Sequence, residues 1–270
     1  MVRDAARLRR GLVGLAALAV AYGLLAQATR GYIPTTAWLA VHEIEHVELL
    51  PTYSSLAEEA AFLVQVGILS ESMAVSAGRM LAGFLVGALV GTPVGLLMGR
   101  SAWVEAVLDP WIALLRFTPA LALLPLYVLW FGFGEGPKIL LIATAVGVVS
   151  LQGAYEGARD IPRVHLEAAA SLGARRGLLL RRVVVPAALP RIVSSLRIAI
   201  MLAWVTVVVA ELIRPTMPSL GYLIALAGAY PRVPTIVVAL GAIAVLVLIS
   251  DTLALVGYHR ATRWMKRRDG

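Results

Sequence analysis

Long apolar runs separated by charged segments constrain this chain more than any other feature. Six such runs lie at residues 11–29, 74–98, 107–131, 138–155, 192–213 and 234–257. A hydrocarbon core of about 30 Å needs about 20 helical residues to cross it, and an open strand edge would leave backbone groups unpaired in lipid. The chain is also 60% hydrophobic, above the ~45–50% of soluble domains. The sequence therefore predicts an all-α polytopic membrane protein with six transmembrane helices.

The basic residues predict which ends of the helices face the cytoplasm. Of the 24 lysines and arginines, 18 lie on one side of the predicted spans, and the positive-inside rule makes this side cytoplasmic. Residues 31–73 contain six glutamates and no basic residue, so we expect them outside. Both termini are then cytoplasmic. The 18 residues are Arg3, Arg7, Arg9, Arg10, Arg100, Arg159, Arg163, Arg175, Arg176, Arg181, Arg182, Arg191, Arg197, Arg260, Arg263, Lys266, Arg267 and Arg268.

Three further sequence features narrow the possible functions and raise one alternative for the first run. The net charge of +8 comes from loops between spans and not from a basic surface with interleaved aromatics, which argues against nucleic-acid binding. The chain has no cysteine, so it has no disulfide or thiolate metal site. The first run, with Ala26-Gln27-Ala28 at its end, also resembles a cleavable signal peptide; we interpret it as a span because it is long for a signal.

The second run carries glycines at four-residue intervals, namely Gly83, Gly87, Gly91, Gly95 and Gly99. A helix places these positions on one face, where the missing side chains let another helix approach closely. We expect this glycine face to form a tight helix contact and part of the interface of a homodimer. A sliding interface is the alternative.

Two prolines, Pro119 and Pro125, interrupt the third run. Each removes a backbone N–H, so the helix should break inside the membrane. Irregular backbone at that depth is tolerated where protein or a water-filled cavity satisfies it. This favours a helix that lines a path across the membrane, although a merely kinked structural helix fits equally well. The candidate path residues are Arg116, Thr118, Pro119, Tyr127, Trp130 and Glu211.

Ionisable residues within spans usually face the interior of the bundle and pair with one another. We considered Arg116, Glu211 and Asp251. Asp251 stands at about the depth of Arg116, so we expect these two to pair; the alternative is that Arg116 faces an anionic solute. None of the three is clearly at the midplane, where a secondary transporter would need titratable groups, so that class is disfavoured.

Residues 158–190, between the fourth and fifth runs, predict two short helices outside the membrane. Pro162 suits the first turn of a helix, and Gly173 should end that helix. A second helix should then continue until Pro186. Short helices with small side chains and many arginines are typical of a docking surface for another protein. A solvated basic loop is the alternative.

The same segment contains Glu167-Ala168-Ala169, then Gly173, then Val183-x-Val185-Pro186. This pattern resembles the EAA signature of ABC-importer permeases, which ends in Ile-x-Leu-Pro. Other segments resemble the nitrate, sulfonate and taurine branch of that family, although the branch has Arg-Pro where this chain has Arg116-Phe117. These segments are Leu49-Leu50-Pro51, Arg116 through Pro125, Leu129-Trp130-Phe131-Gly132 and Val209-Ala210-Glu211.

The resemblance implies one permease domain, 1–270, in the bacterial cytoplasmic (inner) membrane, in contact with lipid. In that family the loop at 158–190 docks on a separate ATPase subunit, which assigns ATPase coupling to Glu167, Ala168, Ala169, Gly173 and Pro186. It also implies a homodimer, two ATPase subunits, an external solute-binding protein and a small anionic solute of the sulfonate, taurine or nitrate kind. Importers of hydroxymethylpyrimidine and riboflavin look similar and are the alternative. ATP and Mg would bind to the ATPase subunit. We expect no cofactor on this chain, which lacks a Gly-x-x-x-x-Gly-Lys-Ser/Thr loop.

One motif points elsewhere. His42-Glu43-Ile44-Glu45-His46 matches the HExxH pattern of zinc proteases, in which both histidines bind zinc and the glutamate is the general base. A catalytic zinc site also needs a third protein ligand, and the only downstream histidines, His165 and His259, are on the predicted cytoplasmic side. We therefore expect no protease, with His42 and His46 as weak metal-ligand candidates in an acidic loop.

Overall fold

The computed structural model describes residues 16–27 and 50–261, and this part of the chain is helical without any strand. A 3-10 turn spans Ala120–Leu123, and a π-helical turn spans Leu180–Val184. The α-helices are α1 (Ala16–Gln27), α2 (Tyr53–Gln65), α3 (Ile68–Met98), α4 (Ala102–Phe117), α5 (Leu124–Phe131), α6 (Glu135–Arg159), α7 (Arg163–Ser171), α8 (Arg176–Leu179), α9 (Val185–Ile213), α10 (Leu220–Ala229) and α11 (Val233–Ala261).

Four stretches of the described chain are long and apolar enough to cross a membrane: Ile68–Met98, Glu135–Arg159, Gly177–Ile213 and Val233–Arg260. The all-α, multi-pass class is therefore confirmed. The number of six crossings stays a prediction, since the described part of the first predicted span is α1, with twelve residues. Helices α2 and α10 were not predicted, because both are shorter than a span.

The third predicted span is not one continuous helix. Helices α4 and α5 meet at an angle of 98°, so the break expected from the prolines is confirmed. Thr118 is extended, with ψ 123°, because a following proline disfavours the helical conformation. Its backbone N–H and its Oγ1 both donate to the carbonyl of Leu114, at 3.0 and 2.8 Å, which closes α4. Pro125 lies in the first turn of α5, where no backbone N–H is needed.

The glycine face of α3 packs against α6 of the same chain. A Cβ added at Gly87, Gly91 or Gly95 would lie 2.1–2.5 Å from a backbone carbonyl oxygen of α6. The expected tight contact is confirmed, but the expectation that this face forms the homodimer interface is wrong. A repeat of small residues permits close approach without saying which helix approaches.

Helices α3, α6 and α9 form the centre of the bundle. α6 lies between the other two and makes the most extensive contacts with each of them. α11 packs beside α9 and α10 and keeps several large apolar side chains exposed, as a helix that faces lipid or another subunit does. The buried side chains of the main core cluster are Met80, Ile142, Val146, Ala199, Ala203, Trp204 and Val207.

Candidate functional site

At one end of the bundle, α7 follows α6 and ends in a glycine turn. Pro162 occupies the N-cap position of α7. Gly173 has φ +78°, and the turn is a Schellman motif, in which the N–H of Gly173 donates to Ala170 at 2.9 Å and that of Ala174 to Ala169 at 3.1 Å. The helix boundary expected at Gly173 is confirmed, because glycine adopts positive φ at little cost.

Four of the five residues assigned to coupling lie on or near this α7 turn. Glu167, Ala168 and Gly173 are exposed, and Ala169 is half-buried. Two large apolar side chains of the same surface are also exposed, Val164 by 71% and Leu172 by 89%. Exposed apolar side chains bordered by polar groups are typical of a contact site for another protein when they form one patch.

Pro186 does not end a helix, contrary to the prediction. The helix runs continuously from Gly177 to Ile213, with Pro186 in the first turn of α9. The π-helical turn at Leu180–Val184 immediately precedes it. A proline inside a helix removes one hydrogen bond and clashes with the preceding turn, and a π turn is a common way to absorb such a disturbance.

The path candidates do not form one site. Arg116 is exposed at the end of α4, and Thr118 and Pro119 form the bend. On α5, Trp130 is exposed and the hydroxyl of Tyr127 is 2.8 Å from Thr144 Oγ1 on α6. Glu211 is fully buried, so it does not line an open path in this conformation.

The expected pair between Arg116 and Asp251 is wrong. Both carboxylate oxygens of Asp251 accept from Arg197 of α9, at 2.6 Å from Nε and 2.8 Å from NH2. The bidentate geometry uses the whole Asp251 carboxylate. Arg116 has no salt-bridge partner within the described part of the chain.

A buried ion cluster at the opposite end of α6 was not predicted. Arg79 of α3, 5% exposed, donates to the fully buried Glu211 at 2.7 Å and to Glu135 at 2.6 Å. Glu211 also accepts from Ser76 Oγ at 2.9 Å and from the N–H of Gly221 at 3.0 Å. Lys138, 1% exposed, donates to Thr216 Oγ1.

The fold brings Glu211 to the N-terminus of α10. Ser219 caps α10 by accepting from the N–H of Tyr222 at 3.1 Å. The two amides before Tyr222 are also free of helix bonds: the N–H of Leu220 donates to Ser76 Oγ, and the N–H of Gly221 donates to Glu211. Gly221 permits this contact, since a Cβ there would lie 2.3 Å from Glu211 Cβ. A helix N-terminus stabilises a carboxylate in this position.

One signal in the sequence would have located the cluster. Arg79 stands inside the second predicted run, and an ionisable residue within a span is by default a candidate functional residue. Its partners could not be assigned, because Glu135 and Glu211 lie far along the chain in other helices.

His42 and His46 lie outside the described residues. Within residues 16–27 and 50–261 no group of three potential metal ligands occurs.

Comparison with known proteins gives the family. The sequence-family model described as binding-protein-dependent transport system inner membrane component matches residues 73–265 of this chain. The taurine transport system permease protein TauC of Escherichia coli (strain K12) is 38% identical over 194 residues, which cover 72% of this chain and 70% of that protein. The putative aliphatic sulfonates transport permease protein SsuC of the same strain is 35% identical over 216 residues, covering 80% and 82%.

Solved structures share the fold. The MetNI methionine ABC transporter in an inward-facing conformation aligns with a TM-score of 0.61 at 19% identity, over 73% of this chain and 95% of that one. An amino acid ABC transporter with histidines aligns with a TM-score of 0.62 at 17% identity, over 74% and 97%. With the family match over residues 73–265, these findings identify the chain as a member of the binding-protein-dependent transport system inner membrane component family, a permease subunit of an ABC importer and not an enzyme.

Proposed function

We propose that two copies of this chain form the path for a small sulfonate such as taurine. Each copy crosses the bacterial inner membrane six times, with both termini in the cytoplasm. Two ATPase subunits bind ATP and Mg and dock inside, and a solute-binding protein delivers the solute outside. The relatives named for taurine and aliphatic sulfonates support this class of solute.

The observation that carries the proposal is the exposed α7 turn. It presents Glu167, Val164 and Leu172 to solvent at one end of the bundle. The chain then enters the 37-residue helix Gly177–Ile213, which reaches the other end. A rigid helix that joins a docking surface to the centre of the bundle can transmit the movement of an ATPase to the path. Arg116, at the α4–α5 bend, is the exposed cation that would attract an anionic solute along that path.

The proposal predicts that the α7 turn serves coupling. Gly173→Ala places a side chain at φ +78°, which costs roughly 1–2 kcal/mol locally and distorts the docking turn. Gly177→Ala, in a helix with no heavy atom within 4 Å of the added Cβ, is the matched control. In proteoliposomes with the ATPase and the binding protein, Gly173→Ala and Glu167→Ala should reduce taurine-stimulated ATP hydrolysis and taurine uptake, whereas Gly177→Ala should not. Full stimulation by Gly173→Ala would contradict the assignment of α7.

A further inference from the structure

Arg79 holds its two carboxylate partners in different ways. Glu211 is fully buried and has two further donors, the hydroxyl of Ser76 and the N–H of Gly221, so it is a fixed counter-ion. The side chain of Glu135 is 53% exposed and is held by Arg79, through Nε and NH2. This two-point contact is the geometry in which arginine binds a carboxylate, sulfonate or phosphate group.

Lys138 adds a second cation with donors to spare. It is 1% exposed, and an ammonium group has three N–H donors. Its hydrogen bond goes to Thr216 Oγ1, which also accepts from Arg79 at 3.4 Å. No carboxylate of the described chain forms a salt bridge with Lys138. A buried ammonium is costly without a neighbouring anion, so this region favours the presence of negative charge.

The cluster lies where an arriving solute would meet the bundle. Glu135 and Lys138 are in the first turn of α6, which ends at Arg159, so they lie ~32–36 Å from the end that leads to α7, at 1.5 Å per residue. If α7 docks the ATPase, the cluster is on the opposite side of the membrane. Gly132, with φ +75°, and Gly134 precede Glu135, so the backbone on its N-terminal side has unusual freedom to move.

We propose that Arg79 and Lys138 form an oxyanion-binding site of the permease, occupied in this conformation by the carboxylate of Glu135. The ligand is a small anion with a sulfonate or similar oxyanion group, which replaces Glu135 on Arg79. The rest of the bound anion extends towards the exposed side, through the space that the Glu135 side chain now occupies. The proposal rests on the proposed function for the choice of a sulfonate, but the site itself requires only an oxyanion.

Charge balance couples the release of Glu135 from Arg79 to the binding of an anionic solute. With Glu135 in place, the two buried cations Arg79 and Lys138 are matched by Glu135 and Glu211, and Arg214 adds a further positive charge nearby. Withdrawal of Glu135 leaves one uncompensated positive charge in the interior, which is strongly unfavourable. An incoming oxyanion restores the balance and allows Glu135 to stay away. Glu135 can therefore be released at low cost only when an anion takes its place.

The test is binding of methanesulfonate to the purified permease in nanodiscs, without the binding protein, measured by equilibrium dialysis. Removing the internal occupant with Glu135→Ala should tighten binding by about tenfold or more, the equivalent of a hydrogen bond to a charged group. Adding Lys138→Met to that variant should reverse the gain. Dimethyl sulfone, which has a similar shape and no charge, should not bind to any variant.

Glu105→Ala is the matched control, because Glu105 also pairs with an arginine, Arg159 at 2.6 Å, near the other end of α6. It should leave the affinity for methanesulfonate as in the wild type. If Glu135→Ala does not yield a folded protein, Glu135→Gln replaces it, with the same expected direction. A folded Glu135 variant that binds methanesulfonate no better than the wild type would overturn the site.

The two proposals fail separately. If the assembled transporter takes up no taurine while Glu135→Ala still gains affinity for methanesulfonate, the choice of solute is wrong and the oxyanion site stands. If taurine uptake is ATP-driven and normal while no Glu135 variant gains affinity, the Glu135–Arg79 pair is only a structural tie between α3 and α6.

Discussion

Alanine at Gly95 tests the contact between α3 and α6 with a single methyl group. The added Cβ would lie 2.1 Å from the carbonyl oxygen of Leu151 and 2.9 Å from Cβ of Ala154, where ordinary contact begins at 3.4 Å. The oxygen belongs to helical backbone and cannot rotate away, so the two helices must separate. Overpacking of this kind costs about 1–3 kcal/mol. We expect the free energy of unfolding to fall by an amount near the upper value, because separating α3 from α6 also loosens the contacts of Gly87 and Gly91.

Gly78→Ala in the same helix is the control. Its Cβ would have no heavy atom within 4 Å, and alanine favours a helix over glycine by roughly 0.5–1 kcal/mol. The free energy of unfolding is measured by titration with sodium dodecyl sulfate in mixed micelles, followed by circular dichroism. Gly95→Ala should be destabilised and Gly78→Ala should not. Equal stability of the two variants would refute the close packing of α3 on α6.

Three further predictions concern charged residues. Glu211→Gln should lower the free energy of unfolding by ~3 kcal/mol, since Arg79 loses its fully buried counter-ion but keeps Glu135; an unchanged value in the same titration would contradict the ion cluster. Asp251→Asn should leave the midpoint of that titration close to wild type, because its pair with Arg197 is partly exposed; a large drop would show that the pair is structural. Arg116→Ala should abolish taurine uptake but leave basal ATP hydrolysis of the reconstituted complex intact; normal uptake would remove Arg116 from the path.

The parts of the fold that depend on local chemistry could be predicted from the sequence. Apolar length located the cores of α3, α6, α9 and α11. Pro119 fixed the break after α4, and Gly173 fixed the end of α7, because each residue restricts or permits a particular backbone conformation. Helix ends were less predictable, since α3 begins at Ile68 and α6 at Glu135, beyond the apolar runs.

The pairing of distant residues could not be predicted. The glycine face was recognised but assigned to another subunit, since a small-residue pattern does not identify its partner. Asp251 was paired with Arg116 by depth alone, whereas Arg197 of the adjacent α9 is in reach. Arg79 meets Glu135 and Glu211 only because α3, α6 and α9 pack side by side, and no local pattern encodes that arrangement.

The central claim, that the α7 end of this permease docks the ATPase, is tested most directly by photo-crosslinking. The chain has no cysteine, so a single introduced thiol carries the only benzophenone-maleimide label. Leu172→Cys replaces a side chain 89% exposed beside α7, and Phe133→Cys replaces one 78% exposed at the other end of α6. In the assembled transporter we predict an adduct between permease and ATPase from position 172 and none from position 133. Capture of the ATPase from position 133, or from neither position, would contradict the account.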